Sequence, residues 1–335
     1  MVGEVILHVG FPKTGTTTLQ RAWSKDAGSF TYLGKAFRRR GSSGRFAEDW
    51  VSEFRDLVNF GHAANVERAS PRMQDEILRS IEQAPNNRIL ISVEGFTNPF
   101  VDYKYMQPKD IFAKADHLAV LLAGLSNRGV RVQFVMTLRD QKALLPSLYS
   151  QIYYYGTATT LFKRDYDSFL EFLFDDPVCG FGPMFEFDAV HDRYAGHFGQ
   201  WNVHMFEMDQ ILSGFATEAI SSLAHLVNMT AQDMLDAIGN TRLNQRKVGT
   251  GREARYKAML KAPSIERARR RTGMTFDTAA FGFSDRMRRR FGRDIYLTVP
   301  DRSDRIERYY AASNQRLSAS HGIVFGAGQR GKDTP

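Results

Sequence analysis

The residues best suited to chemistry in this chain lie in Gly10-Phe11-Pro12-Lys13-Thr14-Gly15-Thr16-Thr17-Thr18, directly after the apolar run Ile6-Leu7-His8-Val9. A glycine- and threonine-rich turn between a strand and a helix aims successive backbone N–H groups at one point. That point lies at the positive end of the helix dipole, so the turn forms an anion site. Lys13 adds a full positive charge inside the turn, and Thr14, Thr16, Thr17 and Thr18 add hydroxyl groups.

The spacing Gly10-x-x-x-x-Gly15 is that of the phosphate loop of nucleoside triphosphatases, but Thr16 stands where those enzymes carry lysine. Their lysine reaches the β- and γ-phosphates, and the next Ser or Thr holds magnesium. Here the cation comes earlier, suited to the bridge of a shorter phosphate-like group. The run Pro12-Lys13-Thr14-Gly15-Thr16-Thr17 resembles the 5′-phosphosulfate loop of sulfotransferases that use 3′-phosphoadenosine 5′-phosphosulfate (PAPS). This resemblance implies that Lys13 stabilises the bridging oxygen and the transferring sulfonate. It also implies that Thr14, Gly15, Thr16, Thr17 and Thr18 bind the 5′-phosphate, with no metal required.

Positioning such a loop requires a buried sheet. Residues 4–11 read as a strand covered on both faces, and Thr16 to about Lys25 as the helix that follows. Gly28–Gly44 reads as a basic, glycine-rich loop, and Phe46–Asn59 and Pro71–Gln83 as amphipathic helices. Arg88–Val93, Val132–Leu138 and Trp201–Phe206 read as further strands, with a helix over about Lys109–Asn127 and another after Asp140. An aromatic, helical insert is expected over about 150–195, and a basic, mainly helical part over 241–325, with 326–335 a frayed tail. Alternating strands and helices predict an α/β fold: a parallel sheet between helical layers, in one domain over 1–325. The resemblance implies the related phosphate-loop sulfotransferase fold with helical insertions. Ligands of such sheets bind at the carboxyl ends of the strands.

Three further segments extend the resemblance, the last of them loosely. Phe134-Val-Met-Thr-Leu-Arg139 leads to Ser147 eight residues beyond the arginine, which resembles the family's 3′-phosphate motif. A forked guanidinium and a hydroxyl suit that group. Trp201–Asp209 resembles the later strand that ends in an aromatic–Glu pair, and Glu207 reads as structural. Asn244–Gly249 resembles, loosely, a late Arg-Lys-Gly segment, which makes Arg246 or Lys247 a candidate cofactor contact.

Transfer to a hydroxyl also needs a base. Glu94, at the end of the second strand, is the candidate; related carbohydrate enzymes use a glutamate, and cytosolic small-molecule enzymes a histidine. A partly buried carboxylate beside an anionic donor has a raised pKa suited to proton abstraction. His8, within the first strand, reads as a packed core residue, and His62, His117 and His191 have no motif context. Tyr153-Tyr154-Tyr155 suits either core packing or stacking on a sugar or adenine.

Composition narrows the setting. The single cysteine, Cys179, excludes an internal disulfide and suits a reducing cytoplasm. Scattered histidines give no zinc-ligand spacing, and no apolar run reaches the length of about 18 residues that spans a membrane. A strand starting at about Glu4 leaves no room for a signal peptide. From Thr241 onward, 22 lysines and arginines face 9 acids, whereas the preceding residues carry 23 against 28. The arginines over 267–293 suit solvated helix faces, or a surface facing an anionic glycan or lipid.

The expected activity is PAPS-dependent sulfonate transfer by an enzyme of the bacterial soluble type. A carbohydrate or glycolipid acceptor follows from the resemblance alone. The rivals are a small-molecule kinase using ATP and magnesium, and a basic nucleic-acid binder; the second leaves the phosphate loop unexplained.

Overall fold

The computed structural model describes residues 3–25, 28–35, 46, 48–99, 110–158, 165–175, 181–213, 217–239, 247–248, 253–258 and 295–325. Five strands, β1 (Gly3–His8), β2 (Thr31–Tyr32), β3 (Arg88–Ser92), β4 (Val130–Leu138) and β5 (Val203–Glu207), form one sheet in the order β2-β3-β1-β4-β5. Every neighbouring pair is parallel. β1 is central, and all six of its residues are buried. Each fully buried Val, Ile or Leu contributes roughly 1.5–3 kcal/mol, so Val5, Ile6 and Leu7 hold the strand that delivers the loop.

Alternation along β1 divides the core between two faces. Val5, Leu7 and Val9 join Phe54 of α2 (Asp49–Phe60), Ile77 of α3 (Ala63–Gln83), Leu118 of α4 (Ile111–Leu122) and Tyr194 on one face. Ile6 faces the other way, among Leu19 and Trp23 of α1 (Thr16–Trp23) and Leu223 and Met234 beyond them. The expected helix-flanked parallel α/β sheet is therefore the fold. α1 follows β1 on one face and α4 follows β3 on the other, and in sheets of this kind the carboxyl ends of the strands are where ligands bind.

Between β4 and β5 run α5 (Gln141–Ala158), α6 (Tyr166–Phe174) and α7 (Phe187–Phe198). After β5 come α8 (Met208–Ser213), α9 (Thr217–Leu226) and α10 (Ala231–Gly239). No described helix is long and apolar enough to cross a membrane.

Three features depart from the sequence reading. The segment read as a loop contains β2, a two-residue strand paired with Ile89 and Leu90 of β3. Pro71 does not start its helix: α3 begins at Ala63 and runs through it. The buried set Val66, Ser70, Met73, Ile77 and Ile81 continues one face across the proline, and this burial outweighs the ~3 kcal/mol that an interior proline costs. The part expected to be mainly helical carries a second, antiparallel sheet of β6 (Lys247–Val248), β7 (Glu253–Ala258) and β8 (Ile295–Pro300) before α11 (Ser303–His321). β7 lies against α5, and β8 buries Leu297 and Val299 on alternate positions. The arginine-rich stretch 267–293, Arg246 and Cys179 lie outside the described residues.

Candidate active site

The loop leaves β1 still paired to β4: Val9 N–H donates to Val135 O at 2.9 Å and Phe11 N–H to Thr137 O at 3.2 Å. It then folds through two left-handed residues, Lys13 at φ 67° and Gly15 at φ 76°. Between them, the Thr14 hydroxyl donates to Phe11 O at 2.6 Å and closes the turn. That hydroxyl is directed into the protein, so Thr14 shapes the loop from within. Gly15 caps α1 without a side chain, and Thr18 N–H returns to Gly15 O at 2.8 Å. By helix geometry, the N–H groups of Thr16 and Thr17 have no acceptor within α1. Thr16 and Thr18 are buried, and Thr17 is half-buried. What the loop presents towards its mouth is thus mainly its backbone N–H groups and the positive end of the α1 dipole.

Gly10 is required for close packing. A Cβ at this position would lie 2.2 Å from Thr137 Oγ1, 2.4 Å from Thr16 Cγ2 and 2.9 Å from His8 Nε2. Gly10→Ala is expected to cost about 1–3 kcal/mol, the usual range for overpacking. Gly196→Ala, in helix α7 with nothing within 4 Å, should be neutral or stabilising by up to about 1 kcal/mol. Denaturant melts of the two variants check this, and equal stability would show that the loop yields at Gly10.

The structure brings Arg139 to the loop. Its Nη1 lies 3.4 Å from Lys13 O, and its Nε lies 3.4 Å from Asp209 Oδ2. The latter is an exposed pair worth no more than about 1 kcal/mol. Asp140 caps α5. Its Oδ1 accepts Lys142 N–H at 2.8 Å, and its carbonyl accepts the N–H groups of Ala143 and Leu144. Lys142 Nζ stands 3.8 Å from its other carboxylate oxygen. Ser147 is half-buried in α5, where its carbonyl accepts the Ser150 hydroxyl at 2.8 Å. Among the described residues, no hydrogen bond joins the Ser147 hydroxyl to Arg139.

Glu94 opens a short 3-10 turn, Glu94–Thr97, directly after β3; its side chain lies outside the described residues. The turn's backbone is firmly held. Thr97 Oγ1 donates to Val9 O at 2.8 Å, Val93 N–H donates to His8 O at 3.1 Å, and Phe96 packs edge-on against Phe54. The sequence reading missed Lys114, which is only 2% exposed and donates its ammonium to Gly95 O at 2.9 Å and Asn98 O at 2.7 Å. The signal available was a lysine among the buried positions Ile111, Ala115, Leu118 and Leu122 of α4. A lysine is almost never fully buried without partners.

Glu207 ends β5 opposite Leu138 and is 4% exposed, with Oε2 unpartnered among the described residues. Burial, with Asp209 and Asp140 nearby, pushes its carboxyl up to about 7. His8 is wholly buried against Trp23, and burial lowers it to about 3, so the ring is neutral. Its role as a packed core residue, with hydrogen bonds to Ser92 and Thr137, is what the structure shows.

The other histidines lie elsewhere. His62 caps α3, His117 bonds the Val58 carbonyl, and His191 stacks edge-on against His321. Tyr153 packs edge-on against Tyr149; the side chains of Tyr154 and Tyr155 lie outside the described residues. Lys247 lies in β6, and its side chain is likewise outside them.

Neither a family model nor a curated protein sequence matches this chain. Among solved structures it is similar to the crystal structure of a sulfotransferase from Alicyclobacillus acidocaldarius. The identity is 10% and the TM-score 0.44, over 97% of this chain and 98% of that one.

Proposed function

We propose that this protein transfers the sulfonate of PAPS to a hydroxyl group of an acceptor, a carbohydrate or glycolipid in class. The observation that carries the reading is the loop at the carboxyl end of β1, with its cation at Lys13 and Arg139 reaching back to the Lys13 carbonyl. In this reading the first-turn N–H groups of α1 hold the 5′-phosphate, and Arg139 with Ser147 holds the 3′-phosphate. Lys13 stabilises charge on the departing phosphate. As the acceptor oxygen bonds to sulfur, the bond from sulfur to the phosphate oxygen breaks, and the acceptor proton passes to Glu94. The products are the sulfated acceptor and 3′-phosphoadenosine 5′-phosphate.

A kinase of the phosphate-loop type holds magnesium with an aspartate near the end of a strand, and Asp140, just past β4, is the residue in that place. One oxygen of that carboxylate instead accepts a backbone N–H at the start of α5, and an ammonium stands beside the other. The test is to incubate the protein with PAPS and a panel of hydroxyl acceptors and to follow release of the bisphosphate. Acceptor-dependent release supports transfer; turnover of ATP with magnesium in its place would overturn it.

A further inference from the structure

Beneath the loop, five side chains, one each from β1, β3, β4, α1 and the loop itself, form one hydrogen-bonded chain, and its proton order follows from the geometry. The Thr14 hydroxyl gives its proton to Phe11 O at 2.6 Å, so towards Thr137, 3.0 Å away, Thr14 is the acceptor. The Thr137 hydroxyl is therefore a donor to Thr14, and towards His8 Nε2 at 3.3 Å it accepts. The proton of the neutral ring thus sits on Nε2. Nδ1 is left to accept the Ser92 hydroxyl at 2.7 Å, and Ser92 Oγ accepts Gln20 Nε2 at 3.1 Å. Every link runs in one direction, from Gln20 of α1 to the Phe11 carbonyl in the loop.

We propose that His8 is a positioning residue, held as the Nε2–H tautomer, that ties together the three strand ends carrying Lys13, Glu94 and Arg139. Ser92 stands two residues before Glu94, and Thr137 two before Arg139. Thr14 lies between the loop's two left-handed residues. The chain lies directly under the first glycine of the loop, since a Cβ on Gly10 would strike both Thr137 Oγ1 and His8 Nε2. In a buried chain of this kind each bond polarises the next, and a missing member leaves a buried group unpaired. The loop's shape before any ligand arrives is therefore set partly by a histidine that touches no ligand. That this shape serves a phosphosulfate donor rests on the function proposed above; the hydrogen-bond order does not.

Nitrogen-15 spectra of histidine-labelled protein test the tautomer without any ligand. His8 should show Nε2 protonated and Nδ1 bare, unchanged between about pH 5 and 8. The opposite tautomer, or titration near the ordinary value of about 6.5, would overturn the assignment. The positioning role is read from binding of 3′-phosphoadenosine 5′-phosphate and of inorganic pyrophosphate. Thr137→Val, close in shape, should weaken both by about 10-fold, the worth of one net hydrogen bond. Thr137→Ser, which keeps the hydroxyl, should bind within a few-fold of wild type. Wild-type affinity in Thr137→Val, or equal losses in both variants, would remove the relay from loop positioning. If wild type binds pyrophosphate but not the bisphosphate, the donor reading fails and the relay is still judged. If it binds neither, the nitrogen spectra alone decide.

Discussion

Lys13→Gly is expected to abolish sulfonate transfer while leaving the protein at least as stable as wild type. A non-glycine residue at φ 67° occupies a region that L-residues enter at a cost of roughly 1–2 kcal/mol. Glycine enters it freely, so the substitution relieves backbone strain as it removes the cation. Lys13→Ala keeps the strain and also loses the charge. Either variant should lower turnover by at least about 10²–10³, the effect of deleting one preorganised stabiliser of transition-state charge. Release of the bisphosphate from PAPS, measured beside thermal melting, checks both halves. A Lys13 variant that retains more than a tenth of wild-type turnover would remove this residue from the mechanism.

Glu94→Gln is expected to slow transfer by about 10²–10⁴, the usual contribution of a general base, with affinity for the bisphosphate nearly unchanged. The backbone around it is held by other groups: Thr97 on the Val9 carbonyl and Lys114 on the carbonyls of Gly95 and Asn98. The amide variant should therefore fold, and the turn beside the loop should keep its place. The rise of activity with pH that reports the base should vanish in the variant. Wild-type turnover, or loss of the folded state, would mean that Glu94 serves the structure and another group takes the proton.

The loop and its strand were legible in the sequence because residue types there leave little choice. Gly10 and Gly15 mark close approach and a left-handed cap, and β1 is buried along its whole length. β3, β4 and β5 announced themselves as short apolar runs, with ends misplaced by one or two residues. Trp201, read as the start of β5, lies in the preceding turn and is 80% exposed.

What remained hidden is what tertiary partners decide. β2 is a strand through its pairing with β3, and the polar sequence of β7 becomes a strand between β6 and β8. α3 runs through Pro71 because its buried face continues on both sides. His8 read correctly as core, but Ser92 and Thr137 stand 84 and 129 residues away, beyond any spacing argument. Lys114 was hidden for the same reason: the carbonyls it serves belong to another element. The Arg139–Ser147 spacing places one residue just before α5 and the other about two turns into it, but spacing alone could not say whether their side chains meet.

The central claim is that the loop binds a phosphosulfate donor. The most direct measurement is calorimetric titration of the purified protein with 3′-phosphoadenosine 5′-phosphate, beside ADP and ATP with magnesium. The account predicts tight binding of the bisphosphate, much weaker binding of ADP, and a clear loss of bisphosphate affinity in Arg139→Ala. Preference for ATP with magnesium, or bisphosphate binding indifferent to Arg139, would contradict it.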